Sequence, residues 1–350
     1  MEMDYKKCKA IVMERPRQVR VRDIQLTEPR KNAIIAQTTL SAISSGTDMK
    51  TYLGLQPAES VYYPLVPGYE NVGTILEVRD PDSKFKPGDR VMINECRQFG
   101  DVCAAWGGST GIAIKDSFTA PSPFDYMVKI PDNVSDRDAV LAYLPCVSLK
   151  GIRKIAPYLK DGHTVVIVGA GMIGTSAMQI VRIMYPHCRI VCIERNEYRR
   201  SIAAHYADYV FDPETGTAKL KELTNGVLAD VVIECSGNQN VVGSLHQYLK
   251  EGGWGLDDPP GHIHLQGDYP GRIVLDSYNY WFNKNCSLTM SCALAPTCKE
   301  QILQWMSEGK FDTSHLPCEV WEVGKAAEAY DYLHKKGSDC FKILLDWRNL

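Results

Sequence analysis

Three glycines and one acid have the types and spacing for chemistry. Gly169, Gly171 and Gly174 follow the run Val165-Val166-Ile167-Val168, which is short and rich in β-branched residues. Such a run reads as a strand covered on both faces of a parallel sheet. Glycines at this spacing suit a turn that carries a dinucleotide. The first permits the tight bend, the second admits a pyrophosphate to the backbone, and the third lets the next helix pack against the strand. The helix opens at Met172-Ile173 and buries Ala177, Met178, Ile180, Val181 and Met184, with Pro186 just past its end. Its N-terminus attracts phosphate. A second apolar run, Ile190 to Ile193, ends on Glu194, about twenty residues after the third glycine. Glu194 is placed to accept the adenine-ribose hydroxyls and to repel a 2′-phosphate, which favours NAD. Arg195, Arg199 and Arg200 follow it, and their guanidinium groups leave NADP open.

The elements around this turn come from a chain of 350 residues, long enough for two domains and a large core. Its 39 basic and 42 acidic residues nearly cancel, which argues against a nucleic-acid surface or a polybasic membrane contact. No apolar run approaches membrane-spanning length, and the N-terminal segment MEMDYKKCKA has no apolar block behind it. The twelve cysteines are scattered from Cys8 to Cys340, as reduced thiols in the cytoplasm would be.

Residues 1–150 lack a repeated strand–helix pattern. Runs at Lys9–Met13, Asn32–Thr38, Gly73–Val78 and Asp89–Ile93, broken by Pro, Gly and Asp, predict a strand-rich, barrel-like domain. Residues 151–295 alternate strands with helices, with Val231–Glu234, Ile263–Leu265 and Ser287–Ser291 as further parallel strands. Residues 296–350 carry two amphipathic helices and an apolar strand, Phe341–Leu345, and return to the first domain. The fold class is α/β. Ser236, Gly237, Gln266 and Gly267 fall at strand carboxyl ends, the edge that faces a cofactor in an open sheet.

This arrangement resembles the medium-chain dehydrogenase/reductase superfamily, the relatives of zinc alcohol dehydrogenase. The resemblance rests on Ser45-Gly46-Thr47-Asp48, Pro67-Gly68-Tyr69-Glu70-Asn71-Val72-Gly73, Lys86-Pro87-Gly88-Asp89-Arg90-Val91 and the glycine turn. Ser41–Gly54, Tyr63–Gly73 and Phe341–Trp347 are most similar to the bacteriochlorophyllide a dehydrogenase subgroup, although no residue here demands a macrocycle. The resemblance implies a GroES-like barrel, a Rossmann NAD(P) domain, a homodimer and a small-molecule substrate in the cleft between domains.

It also implies where a catalytic zinc is held in relatives. Those positions carry Ser45, Tyr69 and Cys146 in this chain, and the first histidine anywhere is His163. A hydroxyl, a phenol and one thiol make a poor zinc set, so no metal is expected. Cys96 and Cys103 alone cannot close the relatives' structural zinc lobe either. His262 and His264 share one face of a strand, as satisfied core histidines do.

Without zinc, the proton of a reacting hydroxyl needs a side chain to take it. Tyr69 stands at the family's reacting position. Lys50 and Thr47, three apart, are placed to serve as charge and relay, with a nearby cation lowering the phenol's pKa. Glu70 is placed to hold the Ser45 or Tyr69 hydroxyl. The other reading of Tyr69 is that it fills the vacated volume. Tyr62, Tyr63, Trp106, Tyr126 and Tyr69 suggest aromatic walls. The expected reaction is NAD-dependent, zinc-independent interconversion of a secondary alcohol and a ketone on a cyclic or functionalised small molecule. The alternatives are a zinc-free, NADPH-dependent enone or quinone reductase, and a non-catalytic nucleotide-binding protein.

Overall fold

The computed structural model describes residues 5–116, 126–255, 258–275 and 277–350. The chain divides into two compact units. Unit 1 comprises residues 1–143, 295–309 and 316–350, and unit 2 comprises residues 144–294 and 310–315. Residues 310–315 therefore cluster with the nucleotide-type unit rather than with the flanking segments. Two bonds tie them there. The Asp312 amide donates to Gln179 Oε1 at 2.7 Å, and Tyr206 Oη donates to the Asp312 carbonyl at 3.4 Å.

Unit 1 is built mainly of strands. In chain order these are β1 Lys7–Arg15, β2 Gln18–Gln25, β3 Ile34–Ile43, β4 Leu65–Val66, β5 Glu70–Val78, β6 Arg90–Met92, β7 Cys103–Ala104, β8 Ile112–Lys115 and β9 Val128–Lys129. Helix α1, Thr47–Tyr52, lies between β3 and β4, and α2, Asp136–Val140, follows β9. One sheet runs β2-β1-β4-β7. The central strand of the other is β3, which pairs antiparallel with β5, with β8 and with the last strand of the chain, Lys342–Asp346. Between the sheets lies a core that includes Ile11, Met13, Ile43, Leu65, Tyr330, Ile343 and Leu345.

Unit 2 alternates strand and helix. Helix α3 spans Tyr143–Lys154, and from Leu144 onward it belongs to this unit. The strands are β10 Thr164–Val168, β11 Arg189–Ile193, β12 Tyr209–Phe211, β13 Val231–Glu234, β14 His262–Leu265 and β15 Ser287–Met290. The helices between them are α4 Met172–Met184, α5 Glu197–Ala203, α6 Pro213–Leu223, α7 Gln239–Val242 and α8 Tyr278–Asn283. The sheet order is β12-β11-β10-β13-β14-β15, all parallel. This is the doubly wound order 3-2-1-4-5-6, whose direction reverses between β10 and β13. Strands β10, β11, β13 and β14 are almost entirely buried, which explains their unbroken apolar runs. The chain then returns to unit 1 with α9 Cys298–Ser307, β16 Cys318–Glu322, α10 Ala326–Lys336 and β17 Lys342–Asp346. None of the described helices is long and apolar enough to cross a membrane.

Candidate active site

The glycine turn of unit 2 lies where the sheet order reverses. Gly169 adopts φ +94°, and its amide donates to the Ile193 carbonyl at 2.8 Å. A Cβ there would stand 2.8 Å from the Ser236 backbone, so the turn and the tip of β13 touch through backbone alone. At Gly174 a Cβ would come within 1.9 Å of the Gly169 carbonyl oxygen, which no side chain tolerates. Gly171 faces open space apart from Arg199 Nη1 at 3.8 Å. Helix α4 starts directly after Gly171, so the first-turn amides of Met172, Ile173 and Gly174 precede any intrahelical bond. The result is a cradle free of side chains at a helix N-terminus, with a guanidinium beside it. These features fit a dinucleotide pyrophosphate.

Glu194 is buried at the end of β11, and both of its oxygens are held. Oε2 accepts the Ala170 amide at 2.8 Å and Oε1 accepts the Asn196 amide at 2.8 Å. The acid is thus fixed to the glycine turn itself. Arg200 donates to the Glu194 carbonyl at 3.1 Å and to the Arg195 carbonyl at 2.7 Å, so its guanidinium is committed to the backbone. Arg195 is exposed. Ser236 and Gly237 follow β13, and the Ser236 amide donates to the buried Glu234 Oε1 at 2.8 Å.

Gln266 and Gly267 follow β14. Gln266 closes a polar ladder between β14 and β15 that includes His262 and His264. Nδ1 of His262 lies 2.8 Å from Ser287 Oγ, and Nδ1 of His264 lies 2.8 Å from Thr289 Oγ1. His264 Nε2 reaches Gln266 Oε1 at 3.2 Å. Burial lowers both imidazoles to about 4, so they are neutral core groups.

Unit 1 carries the second constellation. Tyr69 stands between the ridge of Pro67-Gly68 and β5, and it is buried. Its hydroxyl donates to Ser44 Oγ at 2.7 Å and to Thr47 Oγ1 at 3.2 Å. The serine that meets the phenol is therefore Ser44, whereas Ser45, the residue expected from sequence, is exposed. A local signal for Ser44 exists. The Thr47 amide donates to Ser44 Oγ at 3.3 Å, and Asp48 Oδ2 accepts the Ser44 amide at 2.9 Å. These two bonds tie Ser44, which is buried, to the first turn of α1.

The electrostatics correct a second expectation. Burial raises the Tyr69 phenol well above the ordinary tyrosine range, and the Glu70 and Asp48 carboxylates raise it further. The Ser44 and Thr47 hydroxyls pull the other way without offsetting burial, so no cation brings the phenol below its ordinary value as the sequence reading of Lys50 expected. Tyr69 is consequently a protonated donor and not a phenolate.

Glu70 does not hold a hydroxyl either. Its Oε1 accepts Lys342 Nζ at 2.5 Å in a fully buried pair, while burial raises its pKa against the pull of the lysine. Asp48 is also buried, and desolvation and Glu70 raise it to about 7. Asp48 Oδ1 and Glu70 Oε2 have no hydrogen-bond partner among the described residues.

An aromatic corner completes the site. The Tyr69 ring lies 4.6 Å from that of Tyr143 and edge-on to Trp106 at 5.9 Å. Of the other aromatic residues expected as walls, Tyr62 is exposed, Tyr63 donates to the Thr51 carbonyl at 2.5 Å, and Tyr126 donates to Glu300 at 3.1 Å. Tyr143 was not foreseen, because an aromatic at the start of an amphipathic helix looks like ordinary core.

Cys146 is a buried thiol outside any disulfide, on the unit 2 part of α3. Cys96 is buried, while Cys103 is exposed on β7. Among the described residues no group of three or more His, Cys, Asp or Glu side chains is arranged for a metal. The segment Trp254–Gly261 remains without an assigned role, and its residues 256–257 lie outside the described set.

A barrel-like unit and a doubly wound nucleotide unit with an intact glycine turn define a dehydrogenase architecture. Family models agree. The alcohol dehydrogenase GroES-like domain matches residues 31–132, and the zinc-binding dehydrogenase domain matches residues 172–255. The 2-desacetyl-2-hydroxyethyl bacteriochlorophyllide A dehydrogenase of Cereibacter sphaeroides is 28% identical over 344 residues, which is 97% of this chain and 98% of that protein. The acryloyl-coenzyme A reductase of Metallosphaera sedula is 31% identical over 240 residues, 64% of this chain and 70% of that protein. The crystal structure of 2R,3R-butanediol dehydrogenase from Bacillus subtilis superposes with a TM-score of 0.79 at 20% identity, covering 97% of this chain and 99% of that one. The chain belongs to the medium-chain dehydrogenase/reductase superfamily of zinc-type alcohol dehydrogenases. It is an oxidoreductase, and unit 2 carries the residues for a nicotinamide dinucleotide.

Proposed function

We propose that the protein interconverts a secondary alcohol and a ketone on a cyclic or functionalised small molecule, with NAD as cofactor and without catalytic zinc. The observation that carries this reading is the Tyr69 hydroxyl, buried and bonded to Ser44 and Thr47. When bound, the nicotinamide supplies or accepts the hydride. In ketone reduction Tyr69 gives its proton to the developing alkoxide, and the Ser44 and Thr47 hydroxyls stabilise the phenolate left behind. In alcohol oxidation the proton returns along the same bonds. Burial holds the phenol above its ordinary pKa, so it keeps its proton until an alkoxide develops beside it. The donor set supports zinc independence, because a protonated phenol and a hydroxyl stand where imidazole and thiolate are needed. Glu194, fixed on the turn, supports NAD over NADP. Arg199 Nη1 beside Gly171 supports a role for this guanidinium at the pyrophosphate.

Tyr69→Phe tests the role of the phenol. It removes the proton and keeps the ring, so kcat for ketone reduction is expected to fall by about 10²- to 10⁴-fold while cofactor affinity holds. Undiminished turnover, or one zinc per chain by metal analysis, would refute the reading.

A second reading draws on the reductase from Metallosphaera sedula, whose name gives an activated alkene as substrate. In that case Tyr69 protonates carbon, and faster turnover of enones than of ketones would favour it. The protein is further proposed to act as a homodimer. Strand β15 is the exposed edge of the unit 2 sheet and presents Leu288 and Met290, while Tyr278, Tyr280 and Phe282 are exposed on α8. Sedimentation as a monomer at micromolar concentration would refute it. A cytoplasmic location is proposed with it, on the scattered spacing of the twelve cysteines along the chain.

A further inference from the structure

Glu234 is fully buried at the carboxyl end of β13, yet no lysine, arginine or histidine among the described residues is paired with it. Burial raises its carboxyl above the ordinary range, and such a group is costly unless hydrogen bonds hold it. Three donors do so. Oε1 accepts the Ser236 amide at 2.8 Å and the Ser236 hydroxyl, and Oε2 accepts the Tyr269 hydroxyl. Burial and the Glu234 carboxylate hold the Tyr269 phenol well above its usual range, so it stays a donor. Ser236 belongs to the loop after β13 and Tyr269 to the loop after β14, so one carboxyl joins the two. Glycine lets them close. Gly237 adopts φ +67°, and a Cβ on Gly267 would stand 2.8 Å from the Gly237 Cα and 2.9 Å from Glu234 Oε2. The Ser236 hydroxyl also accepts the Asn238 amide at 3.2 Å, which carries the chain of bonds to the start of α7.

The sheet order decides which part of a dinucleotide meets these loops. Glu194 follows β11, the glycine turn follows β10, and the next strands across the sheet are β13 and β14. A dinucleotide with its adenine ribose at Glu194 and its pyrophosphate at the turn leaves its nicotinamide half for the ends of β13 and β14. We propose that Glu234 is the positioning residue for that half: by tying the two loops together, it fixes the gap that receives the nicotinamide riboside. This role rests on the NAD reading above, and Glu234 exerts it through Ser236 and Tyr269. Hydride transfer depends on where the ring sits, so a small shift of either loop costs both affinity and rate.

The experiment uses the full chain and compares NADH with ADP, which lacks the nicotinamide half. Both are titrated by calorimetry, independently of turnover. Tyr269→Phe keeps the ring and removes the second loop's hydroxyl, so NADH affinity is expected to fall about tenfold while ADP affinity holds. Glu234→Ala should lower NADH affinity by at least as much. Adding Tyr269→Phe to it should cost nothing further, because Tyr269 acts through the carboxyl. Glu234→Gln still accepts from Ser236 and can donate to the Tyr269 oxygen, so its NADH affinity should stay within about threefold of the native value. Losses of NADH and ADP affinity by the same factor would mean that these bonds only hold the fold of the unit, and would overturn the proposal. So would NADH affinity unchanged by Tyr269→Phe and Glu234→Ala, losses that add in the double variant, or a Glu234→Gln protein as weak as Glu234→Ala. The expected pattern in a protein that reduces no ketone supports the positioning role and refutes the reaction assigned above.

Discussion

The glycine turn of unit 2 and the tyrosine corner of unit 1 are both candidate functional sites, but they are built from different materials. The turn works through absent side chains. Gly169 and Gly174 let backbone meet backbone, and the amides at the start of α4 are left without intrahelical partners, open to a ligand. The corner works through buried side chains that set one another's charge, with Tyr69, Asp48, Glu70 and Lys342 all buried. A site of the first kind depends on local geometry. One of the second kind depends on which distant residues the fold brings together.

This difference decides what could be read from the residues alone. Spacing is enough to locate a backbone cradle, since only glycine meets its steric demands. The closing acid, Glu194, follows from the length of one helix and one strand. The corner offered less. Tyr69, Thr47 and Glu70 could be named because they lie in one recognisable stretch. Their partners could not, since Lys342 lies 272 residues from Glu70. That distance is why the sequence alone pairs Glu70 with a hydroxyl and Lys50 with the phenol. A lysine nearby in sequence is not nearby in charge when an acid such as Asp48 fills the interior instead. Ser45 and Ser44 differ in the same way on a smaller scale, because the bonds of Ser44 to Thr47 and Asp48 leave only a faint trace in sequence.

The Glu70–Lys342 pair is the first place to break the contrast. Lys342→Met leaves Glu70 buried beside Asp48 with no cation, a loss of about 3–5 kcal/mol in stability for a pair of this kind. Chemical denaturation would measure it. The double variant Glu70→Gln/Lys342→Met should recover most of the loss, since the cost lies in the unpaired charge and not in the missing contact. If the single variant melts like the native protein, the corner does not depend on buried charge.

Asp48 sharpens the point through pH. Its carboxyl is raised from 3.8 to about 7 by burial and by Glu70, so the fold favours the protonated form. The stability this gives is fully present below about pH 4 and is lost as pH rises through 7. Asp48→Asn keeps an acceptor for the Ser44 amide and cannot ionise. It is expected to flatten the decline between pH 4 and 7 and to stabilise the protein above pH 7, on the order of 4 kcal/mol. Denaturant midpoints at pH 5 and pH 8 give the comparison. A variant less stable than the native protein at pH 8 would mean that Asp48 is ionised and satisfied there.

The turn should show the smallest response, because backbone supplies most of its function. Glu194→Gln removes one charge and retains one acceptor for the two amides that Glu194 now receives, from Ala170 and Asn196. The fold and the pyrophosphate cradle are left intact. What changes is the repulsion of a 2′-phosphate, so the ratio of NADPH to NADH affinity should move toward NADPH by about tenfold with little change in NADH binding. Fluorescence titration of the two reduced cofactors measures both numbers. An unchanged ratio would place the ribose away from Glu194 and leave the acid only its structural bonds to the turn. A large loss of NADH affinity would instead show that those two bonds hold the turn in shape. In that case the cradle depends on a buried charge much as the corner does, and the contrast between the two sites narrows.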